Sequence, residues 1–165
     1  MTSAVLSIGS NLGDRLGYLQ LAVDRLEPWL TGVSAVYETP PWGGVEQAPF
    51  LNAVLLADDG AAGPADWLAR AQQCERAAAR VREVRWGPRT LDVDVIAVDS
   101  RRQADPTLTL PHPRAAERAF VLVPWLELDP SAQLPGHGPV LDLIRALPAG
   151  EVAGVQRRAE AVLRR

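Results

Sequence analysis

The sequence predicts an α+β fold, an antiparallel sheet carrying two helices on one face. Three observations lead there. Apolar spacing alternates between strand-like and helix-like runs in the order βαββαβ, and turn-forming residues punctuate each change. Its 165 residues suit one ordinary domain with a real core, 1–165, and no interdomain linker or internal repeat is visible. The order is that of the ferredoxin-like, or split βαβ, arrangement.

The first run, Ala4 to Ile8, is short and apolar and stops at Gly9-Ser10-Asn11. From Asp14, Leu16, Leu19, Val23 and Leu26 recur at helical spacing until Pro28 limits the helix. Val33 to Glu38 is β-branched and aromatic and gives way to the extended Thr39-Pro40-Pro41-Trp42-Gly43-Gly44. From Pro49 strand composition resumes and ends in the breaker cluster Asp58 to Pro64, where Pro64 suits the first turn of a helix. That helix carries Trp67, Leu68, Ala71, Cys74 and Ala78 on one face. Thr90 to Val98 reads as the fourth strand. Beyond it, the stretch at Thr107–Pro113 suggests a further strand before a proline-bound loop, Glu117–Leu128 is apolar enough to be helix or strand, and Val140–Leu147 suits a small helix. The last dozen residues read as a surface helix or a frayed tail.

Net charge is only −3, so bulk electrostatics call for no polyanionic partner. One cysteine excludes an internal disulfide. No apolar run approaches the roughly 20 residues of a membrane span, and the first residues do not read as a basic-then-apolar signal. A cytoplasmic setting without membrane or nucleic acid is therefore expected, with the chain as a monomer. Every one of the seventeen basic residues is Arg, and six of them fall between Arg70 and Arg89, so the clue is local charge.

In a strand, alternate side chains share a face, which puts Asp92 and Asp94 together, followed by Ile96 and Val98. Two adjacent carboxylates need a positive partner. Either the neighbouring arginines close a salt-bridge cluster, or the pair holds Mg²⁺, which takes oxygen ligands and is commonly shared between carboxylates and substrate phosphates. Arg80, Arg82, Arg85 and Arg89 outnumber the two acids, and guanidinium forks match phosphate oxygens, so a polyphosphate is the natural ligand class. On the third strand Phe50 and Asn52 share a face, an aromatic plate beside a two-way hydrogen-bonding amide that suits a flat heterocycle, though core packing would also account for Phe50. Cys74 reads as a core thiol, and Gly9-Ser10-Asn11 as turn geometry rather than a phosphate cradle.

These motifs, from IGSNLGDR through YETPPWG, FLNA and RWGPRTLDVDV to LPHPRAAERAFVL, together resemble the 6-hydroxymethyl-7,8-dihydropterin pyrophosphokinase family over most of the chain. The resemblance implies transfer of pyrophosphate from ATP to a pterin alcohol, with AMP released and two Mg²⁺ ions held by Asp92 and Asp94. It further implies catalytic roles for Arg80, Arg82, Arg89, Asp92 and Asp94. ATP contacts are implied for Gln72, Arg82, Trp86, Arg89, His112 and Arg118. A pterin pocket is implied from Thr39, Pro40, Trp42, Phe50, Asn52 and Phe120. Glu75 matches an acid at the base of the nucleotide site. The chain departs from the family in Phe50 where some members have Tyr, in Trp42 for a smaller apolar residue, in Pro113 for Tyr, and in an arginine loop one residue shorter than in some relatives. The rival reading is a nucleic-acid-binding module that uses the arginine-rich loop. Against it stand the negative net charge and the two acids inside the proposed basic site.

Overall fold

The computed structural model describes residues 2–41, 47–78 and 90–165. Among them, strand β1 (Thr2–Ser10) lies at the middle of an antiparallel sheet, flanked by β4 (Phe50–Asp59) and β5 (Asp92–Val98). On the far side of β4 run β2 (Leu30–Val33) and β3 (Tyr37–Thr39), and the outermost position belongs to β10 (Gln156–Arg157). Setting β10 aside and taking β2 and β3 as one strand, the order is the ferredoxin-like one.

The predicted strand Val33–Glu38 is in fact two pieces, because the chain carries one extra residue between Val33, paired with Leu55, and Tyr37, paired with Asn52. Ser34 makes this bulge affordable: its amide donates to the Val54 carbonyl at 3.0 Å, and its hydroxyl accepts from the Val54 amide at 2.9 Å. A second correction concerns β5. A register shift opposite Val5 and Leu6 turns Val98 onto the same side as Val93 and Val95, so of the expected Ile96 and Val98 it is Ile96 that continues the face of Asp92 and Asp94, joined there by Ala97.

Helix α1 (Arg15–Leu26) starts where the Asp14 carboxylate accepts the Gly17 amide at 3.0 Å. Its buried residues are Leu19, Ala22, Val23 and Leu26, the predicted stripe with Ala22 in place of the half-buried Leu16. Helix α2 (Pro64–Ala77) has Pro64 in its first turn and buries Trp67, Ala71 and Cys74. Both helices cover one sheet face, against Ala4, Leu6, Ile8, Leu51, Ala53, Leu55, Val93 and Val95. Trp67 also donates its indole N–H to Thr2 Oγ1 at 2.9 Å, and Arg70 stacks over Trp29 with its guanidinium carbon 3.7 Å from the ring centre.

The opposite face is covered too, by the C-terminal half. The ambiguous Glu117–Leu128 segment forms helix α3 (Ala119–Leu128), which lays Val121, Leu122 and Trp125 over Val54, Ile96 and Ala97. Helix α4 (Val140–Ala146) backs it through Val140. Between β5 and α3, β6 (Gln103–Ala104) and β7 (Thr109–Leu110) pair only with each other, and the Leu110–Pro111 bond is cis. β8 (Gln133–Leu134) and β9 (Gly138–Pro139) form another such ribbon. The last dozen residues are neither surface helix nor frayed tail. After α5 (Ala149–Ala153), Gln156 and Arg157 pair with Glu38 and Tyr37, and Ala161 and Leu163 pack on the α1 side of the core. The free edge of β3 supplied the unsatisfied backbone groups that draw this segment in. No helix among the described residues is long and apolar enough to cross a membrane.

Candidate active site

The face covered by α3 turns polar at one end of the sheet. Register makes this plain. Tyr37 pairs with Asn52, Asn52 with Gly9, and Gly9 with Asp92, giving one row across four strands. Beside it lie the pair Thr39 and Phe50 on one side, and Ser7 with Asp94 on the other. Neighbouring strands are about 4.8 Å apart, so the row from Asn52 to Asp92 spans roughly 10 Å. A heterocycle-sized region and an acidic pair therefore share one shelf.

Asn52 and Thr39 are buried and joined, with Asn52 Nδ2 donating to Thr39 Oγ1 at 2.6 Å. That bond fixes the amide's orientation and points Oδ1 toward Gly9, where a Cβ would sit only 2.8 Å from it. The glycine leaves the hollow between Asn52 and Asp92. Sequence reading missed Gly9 by assigning it to the turn, although a glycine inside a strand is itself a signal for close approach. The turn proper falls at Gly13, whose φ of 73° lies in the left-handed region.

At the acidic end, Asp92 and Asp94 are half-exposed on β5, and Glu75 on α2 accepts the amide of Val93, the residue between them, at 3.0 Å. Glu75 thus pins the strand that carries both acids. Thr90 buries a hydroxyl that has no hydrogen-bond partner among the described residues. Arg118, at the start of α3, is buried with Nη1 3.9 Å from Asp94 Oδ2, and its guanidinium lies 5.5 Å from the centre of the Phe120 ring. Burial lowers its pKa, which the Asp94 charge opposes. His112 docks through its amide to the Ile96 carbonyl at 2.8 Å. Burial first, and then Arg118 and Arg114, push its pKa down to about 4, so the ring is neutral near pH 7. Its Nδ1 accepts from the Arg114 amide at 3.2 Å, which leaves the proton on Nε2 as a donor.

The structure therefore brings together Thr39, Phe50, Asn52, Asp92, Asp94, Arg118 and Phe120, with His112 beside them. Pro40 is exposed at the end of β3. Gln72 is exposed on α2, one turn before Glu75. Trp42, Arg80, Arg82, Arg85, Trp86 and Arg89 lie outside the described residues. Cys74 is a core thiol as expected, and burial pushes its pKa up to about 11.

Residues 5–130 match the family model for 7,8-dihydro-6-hydroxymethylpterin-pyrophosphokinase. The chain belongs to this family. Among relatives named as 2-amino-4-hydroxy-6-hydroxymethyldihydropteridine pyrophosphokinase, it is similar to that of Mycobacterium tuberculosis, 53% identical over 89% of this chain and 85% of the relative. It is similar also to the Bacillus subtilis protein, 42% identical over 76% of this chain and 77% of the relative. Among solved structures it resembles wild-type Plasmodium falciparum HPPK-DHPS with pteroate, with a TM-score of 0.67 at 14% identity. The match covers 88% of this chain but only 42% of that longer one, and it speaks for the fold alone. Membership in the pyrophosphokinase family sets aside the nucleic-acid-binding reading of the arginine-rich segment.

Proposed function

We infer that the chain transfers pyrophosphate from ATP to the hydroxymethyl group of 6-hydroxymethyl-7,8-dihydropterin, the reaction of its family in folate biosynthesis. The observation that carries the site assignment is the row Asn52–Gly9–Asp92, which sets a heterocycle-reading amide and an acid pair on one shelf. Asn52 and Thr39 read the polar edge of the pterin, and Phe50 and Phe120 supply aromatic plates, with Pro40 and Trp42 at the rim. The hydroxymethyl oxygen attacks the β-phosphorus of ATP. A new O–P bond forms, the bond from the β-phosphorus to the AMP oxygen breaks with its electron pair leaving on AMP, and the hydroxyl proton passes to solvent.

The donor set fits Mg²⁺. Two half-exposed carboxylates offer only oxygen, and among the described residues no third His, Cys, Asp or Glu joins them to make a closed metal cage. A hard ion that keeps waters and shares substrate phosphates needs no more. Mg²⁺ held by Asp92 and Asp94, two ions in this reading, would neutralise charge on the phosphoryl oxygens. Arg118 places a fixed cation beside Asp94, and His112 offers an uncharged N–H to a phosphate oxygen. Arg80, Arg82 and Arg89 are assigned to the transferring phosphates, and Gln72 and Trp86 to the nucleotide, by family resemblance.

Incubation with ATP, Mg²⁺ and the pterin alcohol should yield AMP and the pterin diphosphate, and EDTA should abolish turnover. ADP as the product, or turnover that survives the chelator, would overturn the assignment.

A further inference from the structure

We propose that a clamp on Glu38, made by Arg15 and the C-terminal segment Gln156–Arg158, positions the pterin-facing pair Thr39 and Phe50. This inference rests on the pterin assignment above. It concerns residues to which that assignment gives no role, three of them beyond the stretch 5–130 that matches the family model.

Thr39 and Phe50 are the last paired residues of β3 and β4 before the strands part. Such a terminal pair frays unless something holds it. Glu38 faces the opposite side of β3 from Thr39, toward the N-terminus of α1. There Arg15 Nη1 donates to Glu38 Oε2 at 2.9 Å and to the Pro49 carbonyl at 3.0 Å. One guanidinium thus grips the residue before Thr39 and the residue before Phe50 from behind the shelf. Arg158 Nη2 donates to the other oxygen, Glu38 Oε1, at 2.9 Å. Both cations hold the Glu38 carboxyl below the usual range.

The C-terminal segment reaches this point through backbone as well as charge. β10 pairs with Tyr37 and Glu38, and the Arg158 amide donates to the Val36 carbonyl at 2.9 Å. Gly154 comes close enough to Pro40 that a Cβ there would lie 3.4 Å from the proline Cδ. Strand pairing and ion pairs therefore meet on Glu38, with Gly154 close beside Pro40. The pterin wall is held by residues more than a hundred positions apart in the chain.

The test uses the full chain with R15A, R158A, E38A and E38Q, each checked for folding by thermal melting. R15A and R158A should each raise the pterin KM about fivefold, the scale of a half-exposed, charge-assisted contact. The ATP KM should stay within about twofold of wild type. E38Q, which keeps one acceptor oxygen, should fall between wild type and E38A. Amide exchange at Tyr37–Thr39 and Phe50–Asn52, measured without substrate, should quicken in the same variants. An unchanged pterin KM, or a loss shared equally by both substrates, overturns the proposal. Failure of the wild type to make AMP would instead overturn the functional assignment, and the exchange data would still decide whether the clamp holds the wall.

Discussion

Replacing Gly9 by alanine tests the shelf most directly. The added Cβ would lie 2.8 Å from Asn52 Oδ1 and 3.5 Å from Phe50 Cδ1. Ordinary contact begins near 3.4 Å, so the amide oxygen must retreat by about 0.6 Å. Retreat is blocked, because β4 lies between β1 and β3 and Asn52 Nδ2 is already 2.6 Å from Thr39 Oγ1 on the far side. The amide has to rotate, losing a buried hydrogen bond worth about 1 kcal/mol, or the strands must part at an overpacking cost of about 1–3 kcal/mol. A melting temperature roughly 3–8 °C lower is expected for a chain of this size. Since a rotated amide no longer reads the pterin edge, pterin affinity by calorimetry should fall at least about tenfold while ATP affinity changes little. Wild-type pterin affinity in G9A, with an unchanged melting temperature, would refute the idea that this glycine makes room for ligand.

Asp94→Ala should abolish Mg²⁺-dependent AMP formation and weaken Mg²⁺ binding in the presence of an ATP analogue, while melting stays near wild type; normal turnover would remove the acid from the metal site. Glu75→Ala strips the acceptor from the Val93 amide and should cost about 1.5 kcal/mol, near 4 °C, with a raised Mg²⁺ requirement that Glu75→Gln largely restores. Tyr37→Phe removes a 2.6 Å hydrogen bond to Glu127; burial first, and then that bond and the Glu127 charge, push the phenol up to about 12, and a loss of about 1 kcal/mol is expected by denaturant titration. For His112 the folded pKa, about 4, lies below the ordinary 6.5, so the native state binds fewer protons than the unfolded one. Its contribution to stability should therefore fall as pH drops from about 6.5 toward 4, and His112→Asn should flatten that part of the stability profile.

Apolar, β-branched runs made the four principal strands legible because the sheet is covered on both faces, and helical spacing did the same for both leading helices, each of which buries one stripe. What escaped was set by contacts distant in sequence. The Ser34 bulge depends on a hydroxyl meeting the Val54 amide, and no local pattern announces it. Val98 changed sides through a register shift forced by pairing with β1. The apolar Glu117–Leu128 segment could be assigned only once a sheet face was there to bury it. For the site, residue types that bear chemistry, Asp92, Asp94, Asn52 and Phe50, stood out from their neighbours. Gly9 contributes by what it lacks, and Arg15 and Arg158 act through backbone or through another side chain, so their identity alone is silent; Glu75 was marked by resemblance, but its hold on the Val93 amide came only with the fold. The expected surface helix or frayed tail failed for the same reason, since an edge strand draws its stability from its partner rather than from its own sequence.

The Glu38–Arg158 contact joins residues 120 positions apart. Closing so long a loop is entropically costly and, in a chain growing on the ribosome, waits until residues 156–158 have emerged. The acid pair on β5 is made well before that, so a nascent chain would acquire its acid-bearing strand before the far edge of its sheet is complete. The outer edge of β3 is therefore the last part of the sheet to be covered during synthesis, a temporal order written into the sheet by the position of one short edge strand.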